Sequence, residues 1–190
     1  DSKIARQQLK LAEDEIILVN TGRIGLQKDP ILLVQSFISF MNKNDLNARL
    51  VIIGDGELRN EIETIVKNAN MNSSVMITGK LDRTTINLWL NAADLYVYTS
   101  HANGFPISLA ESAICGVPIV TTDVTGVHDL VVNDYSGCLV KNRNPDDIAF
   151  AIEKALNNKN KYSKNILGIS KDFHPGTILE RLKGALNLLN

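Results

Sequence analysis

Six short apolar runs, each followed by polar residues and most by a stretch with helical spacing, constrain this chain more than any other feature; they occupy residues 16–19, 50–53, 75–77, 95–98, 118–121 and 137–140. They are continuous instead of alternating in polarity, which is how strands read when both faces of a sheet are covered. Such runs alternating with helices argue for a parallel sheet. The expected fold class is α/β: a Rossmann-like, doubly wound, parallel six-stranded sheet with flanking helices. A chain of 190 residues that is 44% hydrophobic can bury one core of that size.

Local punctuation places the helices. Asp29-Pro30 supplies an N-cap and a first helical position, opening a helix to about Met41. After Gly54-Asp55-Gly56, apolar residues recur at Leu58, Ile62, Ile65 and Val66. Asp82 caps a short helix with Ile86, Trp89 and Leu90, where Trp89 reads as core, and Asn144-Pro145 opens another with Ile148, Ile152 and Leu156. The Asn- and Lys-rich residues 157–165 read as a loop or hinge. A last helix from about Gly176 places Ile178, Leu182, Leu186 and Leu189 on one stripe. The expected domain division is a lead-in helix or linker over 1–15, a Rossmann-like nucleotide-binding unit over 16–157 and a C-terminal helical tail over 158–190.

Composition excludes several functions. A formal net charge of -1, with few aromatics and none interleaved with Lys or Arg, offers nucleic acid no basic field. No apolar run approaches the roughly 20 residues that span a bilayer, and the first residues lack the pattern of a signal peptide. A cytoplasmic location is expected. Because the chain starts at Asp1, it is expected to be part of a longer protein. Cys115 and Cys138 fall in elements expected to be buried and read as reduced core thiols, and His101, His128 and His174 show no metal-ligand spacing.

The central stretch, 95–120, carries the chemistry. Its strand ends in a polar loop, and a helix pattern opens at Pro106 and closes at Gly116. The N–H groups of Gly104, Phe105, Ile107 and Ser108 are expected beside the carboxyl end of the strand, where the helix dipole is positive and several donors can hold phosphate. Glu111, about one turn further on, suits the paired hydroxyls of a ribose. Taken alone, this segment reads more readily as an ordinary capped helix with a solvated Glu. In the common strand order 3-2-1-4-5-6, however, the first and fourth strands are neighbours at the switch point, where ligands bind. The loop with Arg23 and Lys28 then lies beside the loop 103–106. A forked guanidinium and a point-charge ammonium facing a helix N-terminus form a diphosphate site.

These residues resemble the C-terminal, donor-binding domain of retaining glycosyltransferases of the two-domain GT-B architecture, family 4 (group 1). The features in register are Gly22-Arg23 followed by Lys28, Gly54-Asp55-Gly56-Glu57-Leu58, Gly79, Gly104-Phe105-Pro106, Leu109-Ala110-Glu111-Ser112, Gly116-Val117-Pro118-Ile119-Val120, Gly126 and Gly137. The resemblance implies one half of a GT-B fold. It implies that Arg23 and Lys28 hold the diphosphate of a nucleotide-sugar and stabilise the departing nucleoside diphosphate without a metal ion or other cofactor. Glu111 matches the second Glu of the family's Glu-x7-Glu motif and binds the ribose. Gly22, Gly54, Lys80, Leu81, Ile107 and Leu109 belong to the donor pocket, with Leu81 against the base; Gly104, Phe105 and Pro106 shape the loop around the sugar and phosphate.

Asn103 stands where the family has its first Glu, near the transferred sugar, so the charge at that position is lost and the hydrogen bonding kept. The donor implied is a UDP- or GDP-sugar, and the pathway is polysaccharide synthesis. The acceptor side, and any peripheral contact with a membrane, would belong to an N-terminal domain of the same polypeptide, without which this chain is expected to be inactive. Two alternatives stay open: a nucleotide-sugar 2-epimerase-like enzyme, and a non-catalytic nucleotide-sugar-binding module, which Asn103 favours. A nicotinamide-binding domain is disfavoured, because the first loop carries Arg and Lys in place of a glycine fingerprint.

Overall fold

The computed structural model describes residues 1–101 and 106–171. The expectations for Asn103, Gly104, Phe105, His174 and the helix from Gly176 lie outside the described residues. Six parallel strands, β1 (Ile16–Thr21), β2 (Ala48–Ile53), β3 (Val75–Gly79), β4 (Leu95–Tyr98), β5 (Ile119–Thr122) and β6 (Gly137–Val140), form one sheet in the order β3-β2-β1-β4-β5-β6. β1 lies at its centre, with Leu18 opposite Leu50 on one side and Leu95 on the other. The switch point between β1 and β4 therefore stands where the strand pattern puts it.

Among the described residues, seven α-helices cover the two faces: α1 (Ser2–Gln8), α2 (Pro30–Lys43), α3 (Arg59–Asn68), α4 (Arg83–Ala92), α5 (Ile107–Ile114), α6 (Pro145–Asn157) and α7 (Lys159–Ser170). On one face α2 packs between α3 and α6 over Leu18, Leu50, Ile52 and Val97; on the other, α4 and α5 cover Ile17, Val19, Ile53 and Tyr96. Successive strand residues serve opposite cores, so every position of β1 and β4 has to be apolar or satisfied. The caps act as their residue types require. Asp29 accepts from the Leu32 amide at 3.1 Å, Asp82 from Thr85 at 2.8 Å and Asn144 from Asp146 at 2.8 Å.

Two expectations are corrected. Residues 157–165 are not a loop: only Asn158 separates α6 from α7. Tyr162, Ile166 and Ser170 form a buried i, i+4 stripe that tertiary packing holds helical despite the polar residues between them. Leu167 of α7 closes over Gly116, where an added Cβ would lie 2.9 Å from its Cγ. The helix after β4 begins at Ile107, with Pro106 as its extended N-cap, one residue later than expected. Cys138 is buried, and burial pushes its thiol up to about 11, whereas Cys115 is only half-buried.

At the amino end of the sheet, buried Asp94 accepts from the Ile17 amide at 2.7 Å and from Arg6 of α1 at 3.2 Å, and it also pairs with Lys159 of α7. Arg6 donates further to the Ala92 carbonyl at 3.1 Å. One carboxylate thus gathers α1, α7 and the starts of β1 and β4. Among the described residues no helix is long and apolar enough to cross a membrane.

Candidate functional site

The carboxyl ends of β1, β2 and β3 and the start of α5 open onto a cleft of about 1090 Å³. Its floor is Thr21, Gly22, Ile53, Gly54, Asp55 and Gly56; Arg23 and Lys28 stand on one side, Lys80, Leu81 and Ile86 on another, and Pro106, Ile107, Ser108 and Glu111 on the third. The volume suits a ligand of nucleotide size.

Backbone contact between two loops builds the floor. The Gly22 amide donates to the Ile53 carbonyl at 3.0 Å, Ile24 to Asp55 at 3.0 Å, and Leu58 back to Ile24 at 3.1 Å. The loops approach so closely that a Cβ on Gly54 would lie 1.8 Å from the Gly22 oxygen, and one on Gly56 2.4 Å from that of Ile24. Only glycine permits this contact.

The two cations are held differently. Lys28 donates to the Tyr98 hydroxyl at 3.0 Å, and its ammonium stands 4.9 Å from the centre of that ring, so an aromatic face and an oxygen aim it across the mouth of the cleft. Tyr98 itself is buried at the end of β4. Arg23 is 77% exposed along its side chain, and its Nε donates to Glu57 Oε2 at 3.0 Å. So exposed a pair adds little stability, but it orients the guanidinium.

Behind them, the Tyr96 hydroxyl receives the Thr21 amide at 3.0 Å and donates to the Thr21 carbonyl at 3.2 Å; burial raises its pKa and keeps the proton in place. This ties the end of β1 to β4. Opposite, α5 directs its N-terminus into the cleft, with Glu111 exposed one turn further along. The helix dipole and the two cations give the cleft an anion-attracting end, and the exposed Glu111 carboxylate adds an acceptor one turn along the same helix.

Of the residues singled out in the sequence, Gly22, Arg23, Lys28, Gly54, Lys80, Leu81, Pro106, Ile107 and Glu111 all line this one cleft. Leu109 does not. It is 0% exposed, within the core cluster of Tyr96 and Val117, and its amide is taken by the Pro106 carbonyl at 3.0 Å. One residue of helical rotation separates the lining face at Ser108 from the buried face at Leu109. One residue that sequence reasoning missed is Tyr98, whose place at the end of a switch-point strand was the available signal.

Glu57 has its carboxyl held below the usual value by its own backbone amide first and then by Arg23. A carboxylate depressed in this way contributes stability above the unfolded pKa near 4.5, and the contribution is lost as pH falls through the lower folded value. In a carbon-detected NMR titration, Glu57 should titrate below 4.5, and Arg23→Ala should move its midpoint upward. An unmoved midpoint would remove Arg23 from this account.

A doubly wound parallel sheet with two cations and a helix N-terminus lining one cleft beside its switch point defines an α/β protein of the Rossmann-like class. Comparison with known proteins then gives the family: the model for group 1 glycosyl transferases matches residues 1–167, and the chain belongs to that family. It is 30% identical over 164 residues to the capsular polysaccharide biosynthesis glycosyltransferase CapM of Staphylococcus aureus, covering 84% of this chain and 41% of CapM. A crystal structure of a mutant S. aureus TarM in complex with fondaparinux, α-GlcNAc-glycerol and UDP superposes with a TM-score of 0.82 at 25% identity, covering 95% of this chain and 36% of that one. Anabaena HepE in complex with UDP and glucose does so at 0.83 and 21% identity, covering 98% of this chain and 51% of that one. The solved neighbours are GT-B glycosyltransferases, and this chain has the fold of one of their halves. It spans about two-fifths of the length of the curated relatives it matches.

Proposed function

We propose that this chain is the donor-binding half of a retaining, metal-independent family 4 glycosyltransferase, which takes a sugar from a UDP- or GDP-sugar and places it on a glycan or other acceptor held by another domain. The observation that carries this is the convergence of Lys28, Arg23 and the α5 N-terminus at one end of a nucleotide-sized cleft, with Glu111 further along the same helix. In this reading the two cations hold the diphosphate and stabilise the charge that builds on it as the glycosidic bond breaks.

Glu111 accepts from the ribose hydroxyls, and the backbone at Lys80 and Leu81, with the Ile86 side chain, borders the base. Asn103 would face the transferred sugar as a hydrogen-bonding group. TarM and HepE, bound to UDP in their crystals, support a uridine donor. The relation to CapM supports a role in polysaccharide synthesis, and a cytoplasmic location accords with it.

Calorimetric titration of the chain with UDP, GDP and ADP tests the reading. One nucleoside diphosphate should bind, and its 2′-deoxy analogue should bind more weakly by roughly tenfold, the value of one charge-assisted hydrogen bond. Glu111→Ala should erase that difference. Binding of none of the three by folded protein, or a ribose preference untouched by Glu111→Ala, would count against it.

A further inference from the structure

Resting on the nucleotide-sugar reading of the cleft, we propose that Arg143 is a positioning residue. It touches nothing in the cleft, yet it sets where Lys28 stands relative to the exit of β4.

Arg143 lies in the turn between β6 and α6, and its side chain is 28% exposed. Its Nη2 donates to the Thr99 carbonyl at 2.7 Å and to Asp29 Oδ2 at 2.6 Å, and its Nη1 to the Ser100 carbonyl at 3.0 Å. One planar fork thus grips two consecutive carbonyls where β4 leaves the sheet, together with the carboxylate that caps α2. Lysine has the charge on a single nitrogen, so it cannot reproduce the grip that two nitrogens held in one plane give.

What the fork grips is stitched to the Lys28 loop. Thr99 Oγ1 donates to the carbonyls of Lys28 at 3.1 Å and Asp29 at 2.9 Å. The Ser100 hydroxyl and the His101 amide both donate to the Gln27 carbonyl at 2.8 Å. His101 Nε2 lies 3.1 Å from the same Asp29 oxygen that Arg143 holds. The three successive carbonyls of Gln27, Lys28 and Asp29 therefore take their position from residues 99–101, and these are held in turn by Arg143, with the Thr122 hydroxyl sharing the Ser100 carbonyl at 2.9 Å.

The Lys28 ammonium leans on Tyr98, one residue before this stitch. Releasing the fork frees the Lys28 loop to shift against β4. It leaves Glu111, Lys80 and Leu81 at the far end of the cleft unmoved. A general structural role would weaken every contact in the cleft alike; a positioning role weakens the diphosphate end alone.

The test compares wild type, Arg143→Ala and Arg143→Lys by calorimetric titration with UDP, GDP and ADP and with the corresponding nucleosides. Backbone amide exchange is measured on all three proteins without ligand. Arg143→Ala should weaken diphosphate binding about tenfold, leave nucleoside binding unchanged, and be only partly rescued by Arg143→Lys. Exchange protection of the His101 amide should fall in Arg143→Ala while that of Val97, inside the strand, persists. Equal weakening of diphosphate and nucleoside, unchanged diphosphate binding, full recovery with lysine, or an unfolded Arg143→Lys protein would each overturn the proposal. If wild type binds none of the nucleotides, the nucleotide reading fails on its own, and amide exchange decides for Arg143: unchanged protection at His101 overturns its role, and a loss confined to 99–101 and the Lys28 loop upholds it.

Discussion

Replacing Lys28 with alanine should weaken binding of the preferred nucleoside diphosphate about a hundredfold, the upper range for losing a charge-assisted hydrogen bond in a partly enclosed site. The fold should hardly notice. The side chain lines the cleft instead of filling the core, and its partner Tyr98 is packed by the sheet whether or not the ammonium is present. Loss of the 3.0 Å bond to Tyr98 costs about 1 kcal/mol of stability, since the ammonium end stands at the cleft and not in the core. Titration calorimetry and urea unfolding on the same protein separate the two effects. Tyr98→Phe provides the control: it keeps the ring beneath the ammonium, removes only the oxygen, and should weaken binding by less than alanine at Lys28 does. A Lys28→Ala protein that bound nucleoside diphosphates like wild type would take the ammonium out of the site.

The largest effect on folding is expected from Gly54→Ala. The added methyl would stand 1.8 Å from the Gly22 carbonyl oxygen, well inside contact distance, and what it meets is backbone, which cannot swing aside. Relief requires parting the two loops, and with them the hydrogen bonds from Gly22 to Ile53 and from Ile24 to Asp55. A cost of about 3 kcal/mol or more follows, at the upper end for overpacking. Urea denaturation should show a lower midpoint at unchanged slope. Nucleotide affinity should fall with it, because Gly22 and Gly54 are the floor on which the diphosphate would rest. A destabilisation under about 1 kcal/mol would show that the loops part easily and are not the rigid floor described above.

Much of this was legible before any coordinates, for identifiable reasons. Strands buried on both faces leave unbroken apolar runs, so all six were visible, and the switch point followed once the common order 3-2-1-4-5-6 was assumed, an order the sheet has. Asp29, Asp82 and Asn144 announced helix starts because a capping side chain works through bonds two or three residues away. The same locality explains the failures. Helix α7 owes its existence to Tyr162 and Ile166 packing on distant elements, while its own Asn and Lys residues argue for a loop. Leu109 lies one position from a lining residue, and a helical face cannot be assigned to within one residue from its ends alone. Tyr98 looks like one more apolar residue in a strand until Lys28, 70 residues away, is seen against it. Arg143 is 114 residues from Asp29, and no short-range pattern links them.

The clasp at Asp94 has a practical side. Arg6 and Lys159 are moored to one carboxylate at the start of β4, while the cleft opens at the strands' other ends. A four- to six-residue strand separates the two poles by roughly 13–20 Å. A fluorophore or sensor surface coupled ahead of α1 would therefore sit behind the sheet and leave the cleft facing solution. Tension applied through α1 would break the Arg6–Asp94 pair before it reached any residue that faces a ligand, so the same mooring serves as a handle and as a mechanical fuse.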